Sequence, residues 1–288
     1  MRWTPGGSRG NLEDRRGQRG GGGFGLPVGR LGIGGILVLL VLSFIFKTNF
    51  FALLGGGGTT APVAQAPASP EEEQMVEFVN AVNNDVQQTW QQQFAASGET
   101  YQPAKLVLFT DSTTSGCGYG QAAMGPFYCP ADQRAYIDLG FYQDLKSRFG
   151  APGDFAQAYV LAHEMGHHVQ KLLRIDQQVR QAQEQNPRRA NEYSVRMELQ
   201  ADCFAGVWGH AASQRRDVSE GMVLDPGDAE EALRAASSIG DDRIQQQAGA
   251  SVNPETWTHG SSDQRVQWFR VGMETGDPEK CDTFAGAM

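Results

Sequence analysis

The feature that most constrains this chain is an uncharged, apolar run of sixteen residues from Leu31 to Phe46. Sixteen residues of helix span roughly 24 Å, which is slightly short of a bilayer core. The span becomes sufficient if the helix continues to Leu54 and the side chain of Lys47 reaches the interface. We therefore predict a transmembrane anchor at residues 31–54. A buried core helix and a cleavable signal peptide, with Ala64-Gln65-Ala66 as its cleavage site, are the alternatives.

The segments around this run differ in composition. Residues 1–30 are rich in glycine and carry six arginines, which predicts a disordered tail. Residues 55–68 are rich in Gly, Ala and Pro and are predicted to form a linker. Because six arginines precede the apolar run and Lys47 alone follows it, the positive-inside rule places the N-terminus in the cytoplasm. The rest of the chain, residues 69–288, would then be one domain outside the cytoplasmic membrane, held there by a single helix.

This domain is acidic and is predicted to be mostly helical. Residues 55–288 carry 17 Lys and Arg against 31 Asp and Glu, which argues against nucleic acid as a partner because phosphate binding needs a basic face. Apolar residues repeat at helical spacing in five segments, at about 70–96, 154–174, 190–214, 227–239 and 262–275. Strands are predicted at 105–110 and 134–139. The fold class is therefore α+β, with a small sheet.

The sequence His163-Glu164-Met165-Gly166-His167 lies inside the helix predicted at 154–174. Residues four apart on a helix differ by about 40° in azimuth, so both imidazoles can point at one metal ion. The carboxylate of Glu164 lies beside them and can take a proton from a metal-activated water that attacks a carbonyl. The pattern predicts a Zn²⁺ site with hydrolytic chemistry. An exposed helix with coincidental histidines is the alternative.

A catalytic zinc ion needs a third protein ligand, and the next predicted helix offers two carboxylates. Glu198 and Asp202 share one helix face among small residues that permit close helix packing. Two such carboxylates repel each other unless a cation or a donor separates them. We predict Glu198 as the third zinc ligand and Asp202 as the carboxylate that orients the imidazole of His163. Surface salt bridges with Arg196 or nearby arginines are the alternative.

His259 lies in a predicted loop just before the last helix. Loop residues held by a rigid scaffold are frequent functional groups. An imidazole in this position can stabilise the oxyanion of a tetrahedral intermediate, which makes His259 a second candidate catalytic residue beside Glu164. A purely structural role, in which His259 caps the loop, is equally open.

These motifs together resemble the neutral zinc metallopeptidases of bacteria. The likeness runs from about residue 70 to the C-terminus and rests on five segments, His163–Gln170, Glu198–Trp208, Gly125–Asp138, Ile239–Arg243 and His259–Gly276. The resemblance implies a zincin-like metallopeptidase domain of the gluzincin type. It also implies that His163, His167 and Glu198 are the zinc ligands and that Glu164 is the base. In zincins an edge strand above the metal pairs with extended peptide, and we predict that 134–139 is that strand.

Four cysteines complete the candidate residues. A domain outside the cytoplasm permits disulfides. Of the three possible pairings we predict Cys117–Cys129, which would close a short loop, and Cys203–Cys281, which would tie the C-terminal tail to the helix that carries Glu198. Free buried thiols are the alternative.

The sequence therefore predicts a membrane-anchored, zinc-dependent peptidase that hydrolyses peptide bonds in peptide or protein substrates. Two functions of other classes remain as alternatives. One is a catalytically silent zinc-binding scaffold for envelope proteins. The other is a hydrolase of non-peptide amides, such as those of cell-wall cross-links.

Overall fold

The computed structural model describes residues 1–18, 69–122, 125–247 and 251–285. Internal contacts divide the chain into two units, Met1–Arg16 with Ala68–Met288 and, separately, Gly17–Pro67. Nearly all of the second unit lies outside the described residues. The predicted anchor at 31–54 and the predicted linker at 55–68 lie outside them as well. Across the described ranges, no helix is both long enough and apolar enough to span a bilayer.

The first unit has the predicted α+β fold and is mostly helical. Its described residues form eight α-helices: α1 (Pro70–Ala96), α2 (Gly140–Ser147), α3 (Asp154–Leu172), α4 (Ile175–Gln185), α5 (Ala190–Gln214), α6 (Asp228–Ser238), α7 (Asp241–Gln247) and α8 (Ser262–Thr275). The five predicted helices are α1, α3, α5, α6 and α8, and their bounds agree to within two residues. Local signals define two of the starts. Ser69 caps α1 by accepting from the backbone N–H of Glu72, and Ser261 with Gln264 forms a capping box at α8.

The strands are short. They are β1 (Leu12–Asp14), β2 (Lys105–Phe109), β3 (Ser112–Ser115), β4 (Gly118–Gln121), β5 (Phe127–Cys129) and β6 (Arg134–Asp138). Four of them form one sheet in the order β1-β2-β6-β5, in which β1, β2 and β6 are parallel and β5 runs antiparallel to β6. Strands β3 and β4 form a separate hairpin.

The strand predicted to border the substrate is β6, and it does not lie at an edge. It pairs with β2 on one side and with β5 on the other. The prediction of an edge strand at 134–139 is therefore wrong. The edge beside α3 belongs to β5, which contacts that helix. Its three residues lie in a Gly-rich stretch that carries no strand pattern of its own, so the sequence predicts a loop there.

The N-terminal residues are part of the fold. β1 pairs with β2 in parallel, with Leu12 opposite Leu106. The arginines of this segment are bound by carboxylates: the guanidinium of Arg16 contacts Asp14 and, on α1, Glu72 and Glu73. The disorder predicted for residues 1–30 is therefore wrong for residues 1–18, while residues 19–30 lie outside the described part.

This pairing has a consequence for the predicted membrane topology. Strands that share backbone hydrogen bonds must lie in the same compartment, so residues 1–16 and the domain lie on the same side of any membrane. A helix that crosses a bilayer once between them would separate them. The predicted arrangement, with the N-terminus in the cytoplasm and the domain outside, does not fit this sheet.

Glycines bring three helices unusually close together. A Cβ atom added at Gly166 of α3 would lie 3.0 Å from the Cα atom of Ala201 on α5. A Cβ atom added at Gly272 of α8 would overlap the carbonyl oxygen of Cys203 on α5, and one added at Gly206 would overlap that of Phe269. Because only glycine leaves room for these approaches, α5 is held tightly between α3 and α8.

We expect Gly272→Ala to lower the free energy of unfolding by about 3 kcal/mol or more, because the added methyl group meets backbone rather than a flexible side chain. Urea denaturation of the intact, disulfide-bonded protein measures the change. The matched control is Gln267→Ala, an exposed position on the same helix, which should shift stability by less than about 0.5 kcal/mol. Equal stability of the two variants would contradict the close packing of α5 and α8.

Candidate metal centre

The structure brings together the three predicted ligands. His163 and His167 lie on one face of α3, and Glu198 faces them from α5. The Nε2 atom of His163 lies 3.2 Å from Oε2 of Glu198, and the Nε2 atom of His167 lies 3.5 Å from Oε1 of the same carboxylate. The candidate ligand atoms all lie within 4.8 Å of one another. The contact of Gly166 with Ala201 explains this geometry, because it removes the side-chain thickness that normally separates two helices.

The Nδ1 atom of each imidazole already has a hydrogen-bond partner. Nδ1 of His163 lies 2.8 Å from Oδ1 of Asp202, and Nδ1 of His167 lies 2.8 Å from Oε1 of Gln170. An acceptor at Nδ1 keeps the proton there and leaves the Nε2 lone pair for a metal ion. Both imidazoles are therefore held in the tautomer that a ligand needs.

Gln170 is a partner of the candidate ligand His167 that the sequence does not reveal. Its Nε2 donates to the carbonyl oxygen of Met197, at 2.7 Å, and to Oε1 of Gln200, at 3.0 Å. These two bonds fix the orientation of the amide so that its oxygen faces His167. Its position three residues after His167 is the one signal in the sequence, and it is too common a spacing to be specific.

Asp202 takes the predicted role beside His163 and also has two partners that the sequence does not reveal. The fully buried carboxylate accepts from the hydroxyl of Tyr159 at 2.5 Å and from Nε and Nη2 of Arg265 at 2.8 and 2.9 Å. Burial alone would raise the pKa of Asp202, but the charges of Arg265 and His163 lower it to about 2. The carboxylate is therefore ionised at neutral pH.

The electrostatics of the three ligands favours a cation. Burial alone would lower the pKa of His163, but the charge and hydrogen bond of Asp202 raise it to about 10. Burial also opposes ionisation of Glu198, yet the two facing imidazoles hold its pKa well below the usual range. Surroundings that stabilise positive charge on the imidazoles also stabilise a divalent ion between them. Two imidazoles and one carboxylate are a common donor set for catalytic zinc, so the residues fit this metal.

Glu164 and His259 line the same cavity as the ligands. This cavity has a volume of about 400 Å³. The side chain of Glu164 makes no hydrogen bond or ion pair to any described residue, whereas the ligands and their partners are all engaged. The charge of Glu164 helps to raise the pKa of His167, but no hydrogen bond to a described residue holds the carboxylate away from a ligand that enters the cavity.

His259 is positioned by Asp241, which lies at the start of α7. Oδ2 of Asp241 accepts the backbone N–H groups of Thr258, His259 and Gly260, at 2.8, 2.6 and 3.0 Å. Oδ1 lies 3.2 Å from Nδ1 of the His259 ring. The hydrogen bond and charge of Asp241 raise the pKa of the half-exposed imidazole above its usual value, against the opposing effect of burial.

Both predicted disulfides are present. Cys117 is bonded to Cys129 and Cys203 to Cys281. The second bond fixes the C-terminal segment to α5, one residue beyond Asp202. Near this bond, Nε2 of Gln200 donates to the carbonyl oxygen of Cys281. The disulfide therefore stabilises the part of α5 that carries Glu198 and Asp202.

Together, the fold and the donor set are those of a class of protein that could hold a divalent ion between two packed helices. Comparison with known families agrees with this class. A family profile described as "Putative neutral zinc metallopeptidase" matches residues 1–284, and the chain belongs to this family. The match includes residues 1–16, in keeping with their place in the sheet.

Two relatives extend the comparison. The chain is 50% identical over 297 aligned positions to the uncharacterized protein YpfJ of Escherichia coli K12, and the alignment covers all of both proteins. It is 47% identical over 214 positions to an uncharacterized protein of Mycobacterium tuberculosis H37Rv, covering 73% of this chain and 70% of the relative. No solved structure matches the chain.

The ligand set can be tested by metal content. We expect Glu198→Ala to abolish stoichiometric zinc binding, because it removes one of three donors. Asp202→Asn should lower zinc affinity by about 10- to 100-fold, because it weakens the acceptor that orients His163. Elemental analysis and competition with a chelator measure both effects, with circular dichroism to confirm folding.

The control is His210→Ala, which removes a histidine whose Nδ1 contacts the carbonyl oxygen of Met273 away from the ligands. Its zinc affinity should equal that of the unaltered protein. Retention of one tightly bound zinc ion by Glu198→Ala would show that the metal is held elsewhere.

Proposed function

We propose that this protein is a zinc-dependent peptidase that uses His163, His167 and Glu198 as metal ligands and Glu164 as general base. The proposal rests on one observation. The carboxylate of Glu164, which makes no hydrogen bond to a described residue, lines the same cavity as the three candidate ligands. A site that only stored a metal would need the ligands but not the free acid beside them. Membership of the zinc metallopeptidase family supports the same conclusion.

The chain's own residues perform most of the chemistry. A zinc ion, when bound, supplies Lewis-acid activation of water and of the substrate carbonyl. Glu164 accepts the proton of the attacking water and can then donate it to the leaving amine. Asp202 and Gln170 hold the two imidazoles in the ligating tautomer. Buried surroundings reduce the screening of these charges and strengthen each interaction.

His259 is proposed to stabilise the tetrahedral intermediate. Asp241 holds Nδ1 of its ring, which leaves Nε2 without a partner among the described residues, and His259 lines the cavity that also contains Glu164 and the ligands. A protonated imidazole would donate a hydrogen bond to the oxyanion and offset its charge. The raised pKa of His259 increases the protonated fraction at neutral pH.

An extended peptide can align along β5. This strand forms the described edge of the sheet beside α3, and its central residue Tyr128 lines the cavity that holds the ligands. A peptide that adds to an exposed strand edge is bound by main-chain hydrogen bonds, whatever its side chains. The geometry therefore favours a polypeptide substrate over a cell-wall amide, which offers no regular strand.

We also propose that the domain works in an oxidising compartment outside the cytoplasm. The support is the pair of disulfides that join Cys117 to Cys129 and Cys203 to Cys281, because such bonds persist mainly in oxidising compartments. Residues 1–16 would share that compartment through the β1–β2 pairing.

Substitution Glu164→Gln tests the proposed base. The amide preserves shape but cannot accept the proton, so we expect turnover to fall by about 10²- to 10⁴-fold while zinc content stays at one per chain. Cleavage of an unfolded protein substrate, followed by mass spectrometry, measures turnover. Intact activity in Glu164→Gln would refute the mechanism. If the unaltered zinc-loaded protein cleaves peptidoglycan but no peptide, the amide-hydrolase function is correct instead.

The pH dependence tests His259. Because Asp241 raises the pKa of His259, the protonated donor should persist above the usual histidine range, and kcat/KM should fall as pH rises through that raised value. Glu198 adds to the raised pKa and Arg265 opposes it. Asp241→Asn removes the main cause, so the alkaline limb of the profile should move to lower pH. A profile for Asp241→Asn that superposes on that of the unaltered enzyme would exclude the protonated role.

A further inference from the structure

Space extends from the ligand set in two directions. The first cavity, of about 400 Å³, contains Glu164 and His259. A second cavity, of about 300 Å³, lies against α4 and α5. Tyr128, His167 and Glu198 line both cavities, so these three side chains lie between them. Within the described residues, a cavity therefore borders the ligand set on each of two sides.

The walls of the first cavity are largely apolar. Aromatic and aliphatic side chains contribute to it from β5, α2, α3 and α7 and from the segments just after α2 and α6: Phe127, Phe141, Phe149, Val160, Ile239 and Ile244. The side chain of Ile244 is 42% exposed, although it is large and apolar. Its side chain is therefore accessible to a substrate at the rim of the cavity.

The charges in the first cavity do not offer a place for a charged substrate side chain. Glu164 and His259 are assigned to the reaction. Arg265 also lines the cavity, but its guanidinium is buried and bonded to Asp202 through two nitrogens. A charged side chain placed here would lose its water and gain no free counter-ion, which is costly. A large apolar side chain would gain from burial.

The second cavity differs in character. Its lining includes Asp176, Arg180, Gln183 and Ser194 beside the apolar Val179. Here Nη2 of Arg180 and Nζ of Lys171 lie 2.9 and 3.3 Å from Oδ2 of Asp176, while Oδ1 is buried without a hydrogen-bond partner among the described residues. An exopeptidase needs a free charge that binds the terminal ammonium or carboxylate of its substrate. In both cavities, the charged side chains outside the catalytic set are already bound to partners within the chain.

We infer that the protein is an endopeptidase whose first cavity takes a large apolar side chain next to the scissile bond. The inference rests on the proposed peptidase function and adds its substrate class. An internal stretch of polypeptide would enter one cavity, cross the ligand set and leave through the other. One residue of the substrate, on the side facing Glu164 and His259, would be Phe, Leu, Ile or Met.

The test uses the full-length, zinc-loaded protein and a library of ten-residue peptides with acetylated N-termini and amidated C-termini. Mass spectrometry of the products identifies each cleaved bond. We expect internal cleavage, with large apolar residues enriched at one position beside the bond. Cleavage confined to matched peptides with free ends would overturn the endopeptidase assignment. Cleavage of blocked peptides without enrichment would overturn the apolar subsite.

Two variants link this preference to the first cavity. Phe141→Ala removes part of the wall, and kcat/KM for a Phe-containing peptide relative to its Ala counterpart should fall roughly tenfold. Ile244→Lys places a cation at the exposed rim, and peptides with Asp or Glu at the selected position should become substrates. Because Ile244 is exposed, this second variant should fold even if Phe141→Ala does not.

Leu173→Ala is the matched control, since Leu173 is a 38% exposed aliphatic residue that lines neither cavity. Its preference should equal that of the unaltered enzyme. An unchanged preference in Ile244→Lys would exclude the first cavity as the subsite. The peptidase function is judged separately by Glu164→Gln: if no peptide is cleaved, or if cleavage survives that substitution, the proposed function itself fails.

Discussion

The buried carboxylate of Asp202 is the interaction on which the rest of the centre depends. It lies on α5, accepts from Tyr159 and His163 of α3, and binds Arg265 of α8 through two nitrogens. A buried ion pair that loses one partner leaves an uncompensated charge, at a cost of about 3–5 kcal/mol. The three helices must therefore pack in one register before this charge is satisfied. The same register brings Glu198 to the imidazoles of His163 and His167. Packing of the core therefore assembles the metal centre at the same time.

Periodic features of the sequence predict much of this arrangement. The spacing of His163 and His167 places two imidazoles on one helix face, and the repulsion between Glu198 and Asp202 suggests a different partner for each carboxylate. Helices α1, α3, α5, α6 and α8 follow from apolar repeats and caps. All of these signals act within a few turns of one helix, where sequence distance determines spatial distance.

The parts that the sequence does not predict depend on contacts between distant segments. Arg265 reaches Asp202 across 63 positions of the chain, and no local pattern distinguishes it from a surface arginine. Strand β5 has three residues and acquires its role from pairing with β6. The Gly- and Arg-rich surroundings of β1 conceal it in the sequence, although the charge of the nearby Arg16 is balanced by Glu72 and Glu73 on α1. Composition alone cannot show that those charges find partners.

The place of β1 also determines which parts of the chain can be handled as an independent unit. β1 covers the backbone edge of β2, whose residues Leu106 and Leu108 are fully buried. A recombinant version that starts at residue 69 would leave that edge without its hydrogen-bonding neighbour. Bare strand edges pair readily with copies of themselves, which leads to aggregation. Joining residues 1–16 to the domain through a short flexible linker would keep this edge covered without the apolar segment.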